Sequence, residues 1–150
     1  MERTLILIKP DAVQRCLAGE IIGRLEKRGL KIVAMKMLHM DRALAERHYA
    51  VHKDKPFFKD LVAFITSSPI IAAVFEGEKA VEAVRQTMGA TDPKKAAPGT
   101  IRADLGLSMQ LNMIHGSDSI ENAVKEIDIF FKPSELVSYS RDMDRWITES

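Results

Sequence analysis

Short apolar runs alternate with polar breaks along this chain, and the spacing of the apolar positions predicts which element each run forms. Residues 5–8 are four consecutive apolar residues, a buried-strand signal stopped at Lys9-Pro10-Asp11 because proline cannot continue a central ladder. Over residues 18–28, Ile21, Ile22 and Leu25 recur at helical spacing and Gly29 supplies the stop. Residues 30–40 are largely apolar, interrupted by Lys31 and Lys36, and predict a long strand. Asp41 is placed to cap a helix over 42–51. Residues 57–67 put Phe58, Leu61, Val62 and Ile65 on one helical face. Residues 70–75 then predict a strand ended near Gly77, and 79–88 another helix.

The stretch 89–99 holds two glycines and two prolines with little apolar content, and predicts the one long loop. A last short strand is expected over 110–114, a helix over 119–131, and a further helical turn from Pro133. The order β-α-β-α-α-β-α-β-α predicts an α+β fold: a ferredoxin-like, split βαβ unit. Its four-stranded antiparallel sheet is expected to be covered by helices on one face. No repeat, low-complexity tract or flexible linker divides the sequence, and residues 1–150 are expected to form one domain.

Composition removes some functions. The chain has 150 residues, with 22 Lys+Arg against 21 Asp+Glu and a net charge of +1. That balance speaks against a broad nucleic-acid surface but leaves room for a local basic pocket. Cys16 is the only cysteine, so no intramolecular disulfide is available, in keeping with a reducing compartment. The four apolar residues before Lys9 are too few for a signal-peptide core or a membrane span. A cytoplasmic protein without membrane partners is expected.

The segment Asn112-Met113-Ile114-His115-Gly116-Ser117-Asp118-Ser119 carries the most chemistry. His115 stands between an apolar run and a helix start. Gly116 permits a sharp turn and a close backbone approach to a ligand. Asp118, with Glu121 three residues on, has capping-box spacing, and helix amides there favour an anion. A neutral imidazole in such a place serves as base, metal ligand or phosphate acceptor. Taken alone, His-Gly reads as a capped turn with a solvated histidine; other residues change the weighing.

Lys9 ends the first strand, and Tyr49 and His52 share a helix. His48 and His52 form an i, i+4 pair able in principle to chelate a metal, but no third ligand is evident. Phe57 and Phe58 are adjacent on a helix and cannot both face one core, so one is available to stack on a flat ligand. Arg85, Thr91 and Arg102 flank or lie in the long loop. Together with Lys9 and His115 the two arginines suit a triphosphate. There is no Walker loop, kinase glycine loop or dinucleotide fingerprint, so side chains would have to hold a nucleotide. Glu126, on the helix after His115, is placed to orient the imidazole.

Over nearly its whole length the sequence resembles the nucleoside diphosphate kinases. The resemblance rests on Thr4-Leu-Ile-Leu-Ile-Lys9-Pro-Asp-Ala-Val13, Lys53-Asp-Lys-Pro-Phe-Phe58, Pro98-Gly-Thr-Ile-Arg102-Ala-Asp104 and, above all, residues 112–119. It implies that His115 takes the γ-phosphoryl group of a nucleoside triphosphate, typically ATP, and passes it to a nucleoside diphosphate in a ping-pong reaction. It implies Tyr49, His52, Arg85, Thr91 and Arg102 around the phosphates, and Lys9 and Asn112 at the sugar hydroxyls. Phe57 would stack on the base with Leu61 and Met109 near it, and Ser117 and Glu126 would support His115. Met109 departs from the branched aliphatic residue common in the family, and residues 105–110 do not match it closely. Mg²⁺ bridging the nucleotide phosphates needs few protein carboxylates, with Asp118 the one acidic residue of the signature able to reach it through water.

A second function class, a ferredoxin-like module that binds a nucleotide without turning it over, is weakened by the presence of His115, Lys9, Arg85 and Arg102 together. The long second strand needs its apolar edge covered, which suits pairing with a second copy. The resemblance implies dimers assembled into a hexamer, with the Pro93 loop and the tail through Trp146 at the contacts.

Overall fold

The computed structural model describes residues 1–149. Its elements follow in the order β1 (Glu2–Ile8), α1 (Pro10–Gln14), α2 (Ala18–Lys27), β2 (Lys31–Leu38), α3 (Arg42–His48), α4 (Phe58–Ile65), β3 (Ile70–Gly77), α5 (Ala80–Met88), α6 (Ile101–Leu105), β4 (Ile114–Gly116) and α7 (Ile120–Phe130). Single 3-10 turns lie at Ala50–His52, Pro93–Lys95, Pro133–Glu135 and Asp142–Trp146. The expected boundaries hold where local chemistry enforces them. Gly29, at φ +102°, ends α2, and its N–H reaches the Glu26 carbonyl at 2.9 Å. The Asp41 carboxylate caps α3 by accepting from Leu44 N at 2.8 Å.

The sheet has the order β2-β3-β1-β4 with antiparallel neighbours throughout, the ferredoxin-like arrangement. One expectation is corrected: helices cover both faces. Leu5 and Leu7 of β1 join Val74, Ala45, Val62, Ile65 and Phe130 on one side. Ile6 and Ile8 join Phe75, Ile21, Leu25, Val84, Met88 and Ile101 on the other. All four β1 residues are fully buried, which is why the run reads as continuous rather than alternating.

Two further corrections concern the C-terminal half. The stretch ending in Gly99 leads into α6, a five-residue helix capped by the Thr100 hydroxyl, which sequence periodicity is too short to reveal. The last strand is Ile114–Gly116 rather than 110–114, because the chain turns sharply at Met113 before it reaches the sheet.

β2 lies at the sheet edge and is bulged between Ile32 and Ala34. The Val33 carbonyl accepts from Val137 N at 2.9 Å, so the C-terminal tail covers the first half of this edge. Met35 and Met37, further along, remain exposed. Among the described residues no helix is long and apolar enough to cross a membrane.

Candidate active site around His115

Strand pairing decides where His115 points. It sits opposite Leu7 in antiparallel register, and directly opposed residues share a face. The imidazole therefore turns toward α3 and α7 and not toward α5. Its Nε2 lies 3.0 and 3.1 Å from the two carboxylate oxygens of Glu126. Ser117, fully buried, donates its hydroxyl to the same carboxylate at 2.5 Å. Burial by itself raises a carboxyl, but here the hydrogen bonds and charge of His115, with the Ser117 bond, outweigh it and hold Glu126 below the usual range. A carboxylate at Nε2 keeps the proton on that nitrogen, so Nδ1 retains its lone pair.

The chain enters β4 through a strained turn. Ile114 N donates to the Asn112 carbonyl at 2.8 Å across Met113, whose φ is +72°. This is a γ-turn in its strained, positive-φ form. Met113 has no glycine freedom, but its side chain is fully buried, so packing holds the turn. Arg102 clamps it as well. It is 6% exposed and donates Nε to the Asn112 carbonyl (3.3 Å), Nη1 to that of Gly89 (3.1 Å) and Nη2 to that of Ile114 (2.5 Å). Burial, then the Arg85 charge, lowers its pKa to about 10. Arg102 is thus a backbone clamp, and the N–H groups left on its Nη atoms are the ones available to an anion.

Gly116 departs from its expected role. Its φ is not left-handed, and it turns no corner. A Cβ there would meet Met88 Sδ at 2.5 Å, so the close approach it permits is to α5 and not to a ligand. Asp118 is not the cap of the following helix either. Ser119 is, accepting from Asn122 N at 3.0 Å, while exposed Asp118 accepts from Asn122 Nδ2 at 2.5 Å.

The remaining residues fall into two strings that meet near His115. In the first, Lys9 donates Nζ to Asn112 Oδ1 at 2.9 Å, and Asn112 Nδ2 donates to the Thr91 carbonyl at 3.1 Å. Burial, then Arg102, lowers Lys9 to about 8 against the pull of Asp11. Arg85 Nη1 lies 3.4 Å from the Gly116 carbonyl. In the second string, the His52 ring lies 5.5 Å from Phe57 and 6.4 Å from Tyr49, and Tyr49 4.6 Å from His48, each pair tilted rather than stacked. Tyr49 is buried, which raises its hydroxyl to about 12. Phe57 is 46% exposed, while Phe58 packs on the core. Leu61, one turn on from Phe57, packs half-buried on the same core, and Met109 is exposed between α6 and Asn112.

His48 is the residue that sequence reasoning undervalued. The helix ends at His48 and the chain continues as a 3-10 turn, so His48 and His52 do not share the helical face on which an i, i+4 pair could chelate. His48 instead turns inward, 8% exposed, its ring edge-on to His115 at 4.8 Å. Burial, then the charge of His115, lowers it to about 3. Its signal was its place with Ala45 and Tyr49 on the buried face of α3.

The nucleoside diphosphate kinase family model matches residues 2–136. A nucleoside diphosphate kinase of Dehalococcoides mccartyi is 62% identical over 141 residues, covering 94% of this chain and 99% of the relative. One from Thermomicrobium roseum is 60% identical over 98% of this chain and 99% of its own. Among solved structures, a halophilic nucleoside diphosphate kinase from Halobacterium salinarum in complex with CDP superposes with a TM-score of 0.95 at 52% identity, covering 99% of both chains. A nucleoside diphosphate kinase family protein from Babesia bovis gives 0.96 at 44% identity, covering 99% of this chain and 100% of that one.

Proposed function

The chain belongs to the nucleoside diphosphate kinase family and is a nucleotide-binding phosphotransferase, and we propose that His115 is its phosphate-accepting nucleophile and Nδ1 the reacting atom. The observation that carries this is the Glu126 carboxylate at Nε2, 3.0 Å away, which leaves the Nδ1 lone pair free. That pair attacks the γ-phosphorus of a nucleoside triphosphate, typically ATP; the bond to the β–γ bridging oxygen breaks and the diphosphate leaves with its electrons. A second diphosphate then attacks the phosphohistidine, and Nδ1 recovers its pair. Glu126 stabilises positive charge on the imidazole while the N–P bond exists, and Ser117 holds the carboxylate.

Arg85, Arg102, Thr91, Tyr49 and His52 are proposed to surround the phosphates. Lys9 and Asn112, already joined, would meet the sugar hydroxyls. Exposed Phe57 would stack on the base, with Leu61 and Met109 flanking it. The non-catalytic alternative is not favoured, since His115, Lys9, Arg85 and Arg102 are all present.

The family generally needs a divalent metal, and Mg²⁺ is proposed here. Among the described residues, the group of side chains able to hold an ion, His48, His115 and Glu126, offers two imidazoles and one carboxylate, donors that suit Mg²⁺ poorly. That fits an ion held by nucleotide phosphates better than a protein cage, with exposed Asp118 reaching it through water. Bound there, the ion neutralises phosphate charge. We further propose one domain over 1–150, cytoplasmic, without nucleic-acid or membrane partners, and a hexamer built from dimers that pair through the uncovered half of β2. Incubation with γ-labelled ATP tests the central reading. Acid-labile label should appear on His115 and chase onto a second diphosphate; stable label, or label on another residue, would refute it.

A further inference from the structure

His48 is a side chain that the transfer reaction does not use. Both its ring nitrogens are buried without a hydrogen-bond partner, an arrangement that costs free energy unless something compensates. It faces His115 and Glu126, and one ligand atom from each of the three residues lies within 4.8 Å of the others. A tetrahedral ion with bonds near 2.0–2.1 Å needs its ligand atoms about 3.3 Å apart, so a side-chain adjustment on the order of an ångström closes the set. Two imidazoles and one carboxylate are borderline-soft donors, suited to Zn²⁺ or Co²⁺ rather than Mg²⁺. Three protein ligands leave a fourth position, and the partial exposure of His115 and Glu126 supplies the entry path.

We infer that His48, His115 and Glu126 form a binding site for a Zn²⁺-like transition-metal ion, distinct from the ion carried by nucleotide phosphates, and that filling it blocks phosphoryl transfer. The ion takes the Nε2 lone pair of His115 as the ring proton moves to Nδ1, and it replaces the hydrogen bond to Glu126; with Nδ1 protonated, no ring lone pair is left to attack phosphorus. The imidazole is then pinned as a metal ligand and loses nucleophilicity. Burial keeps His48 neutral far below pH 7, so its lone pair is always available. The binding half of this inference is independent of the role given to His115 above; the inhibitory half rests on it.

The exposed Cys16 thiol competes for soft ions, so the experiment uses the full chain carrying Cys16→Ser, stripped with chelator and free of nucleotide. Zn²⁺ titration by calorimetry should show one equivalent bound, and Co²⁺ should give the visible absorption of a tetrahedral site. His48→Phe, which keeps an aromatic edge but no ligand, should weaken Zn²⁺ at least tenfold. His115→Ala, at a partly exposed position, should do the same and covers the case in which the buried variant fails to fold. No saturable binding by the parent, or a loss below tenfold in the folded variants, overturns the site. Transfer by the parent, with free Zn²⁺ set by a metal buffer, should fall as the site fills and return on adding EDTA. Full transfer at saturating Zn²⁺ overturns the inhibition and leaves the site standing.

Discussion

Glu126 grips His115 through both carboxylate oxygens at Nε2, and Ser117 grips Glu126 in turn. If this fixes the tautomer, Glu126→Ala should lower kcat about 10²-fold with a smaller change in KM, since the lost interaction acts on the reacting imidazole. Glu126→Gln, which still offers a carbonyl oxygen to Nε2–H, should lose less. Steady-state kinetics decide it, with His115→Ala as the inactive reference; equal losses in the two Glu126 variants would show that carbonyl-type acceptance does not matter.

Acid should destabilise this protein through His48. Its pKa falls from the ordinary 6.5 to about 3 in the folded state. The unfolded chain therefore takes up the proton first, and the stability present above pH 6.5 is lost progressively as pH falls toward 3. At pH 4.5 the loss from this group is about 2–3 kcal/mol relative to pH 7.5. Urea midpoints of the parent and His48→Phe at the two pH values test this: the variant should lose less stability on acidification. Parallel losses would place the buried proton elsewhere.

Gly116→Ala inserts a Cβ 2.5 Å from Met88 Sδ. Overpacking of this kind costs about 1–3 kcal/mol and pushes on the strand that carries His115, so stability and kcat should fall together. Shortening Met88 in the same chain should give a combined loss smaller than the sum of the two single changes. Thermal denaturation of the four proteins closes the cycle, and strict additivity would mean that the clash is relieved some other way.

Arg102→Lys keeps a charge but cannot serve the carbonyls of Asn112, Gly89 and Ile114 at once. Buried carbonyls left unpaired cost about 1–3 kcal/mol each before relaxation. The variant should lose several degrees in Tm and show a raised nucleotide KM. A change in KM alone would make Arg102 an anion ligand and no clamp.

Base selectivity should be weak. Phe57, Leu61 and Met109 offer apolar faces only, and stacking accepts any base. Purine and pyrimidine diphosphates, ribo and deoxy, should agree within about tenfold in kcat/KM. A panel of acceptors at fixed ATP measures this; a thousandfold preference would demand a polar base contact.

Much of this protein is local and so was legible in the chain itself. The apolar run 5–8, the Gly29 stop, the Asp41 cap and the helical faces of α2, α4 and α7 depend on residues a few positions apart. The residues 112–119 carried a family resemblance because their chemistry is contiguous. Tertiary structure decided what depends on distant partners. Gly116 is small because of Met88, Met113 holds a strained turn because the core and Arg102 hold Met113, and helices cover both sheet faces because β1 is buried on both. His48 shows the limit most plainly. In the sequence it stood out only as an i, i+4 neighbour of His52; the pairing of β4 with β1, and the packing of α3 and α7 on that face, set its two unpartnered nitrogens beside His115. Sequence spacing reports a side chain's own element, while the environment that sets its proton and its ligands is assembled from others.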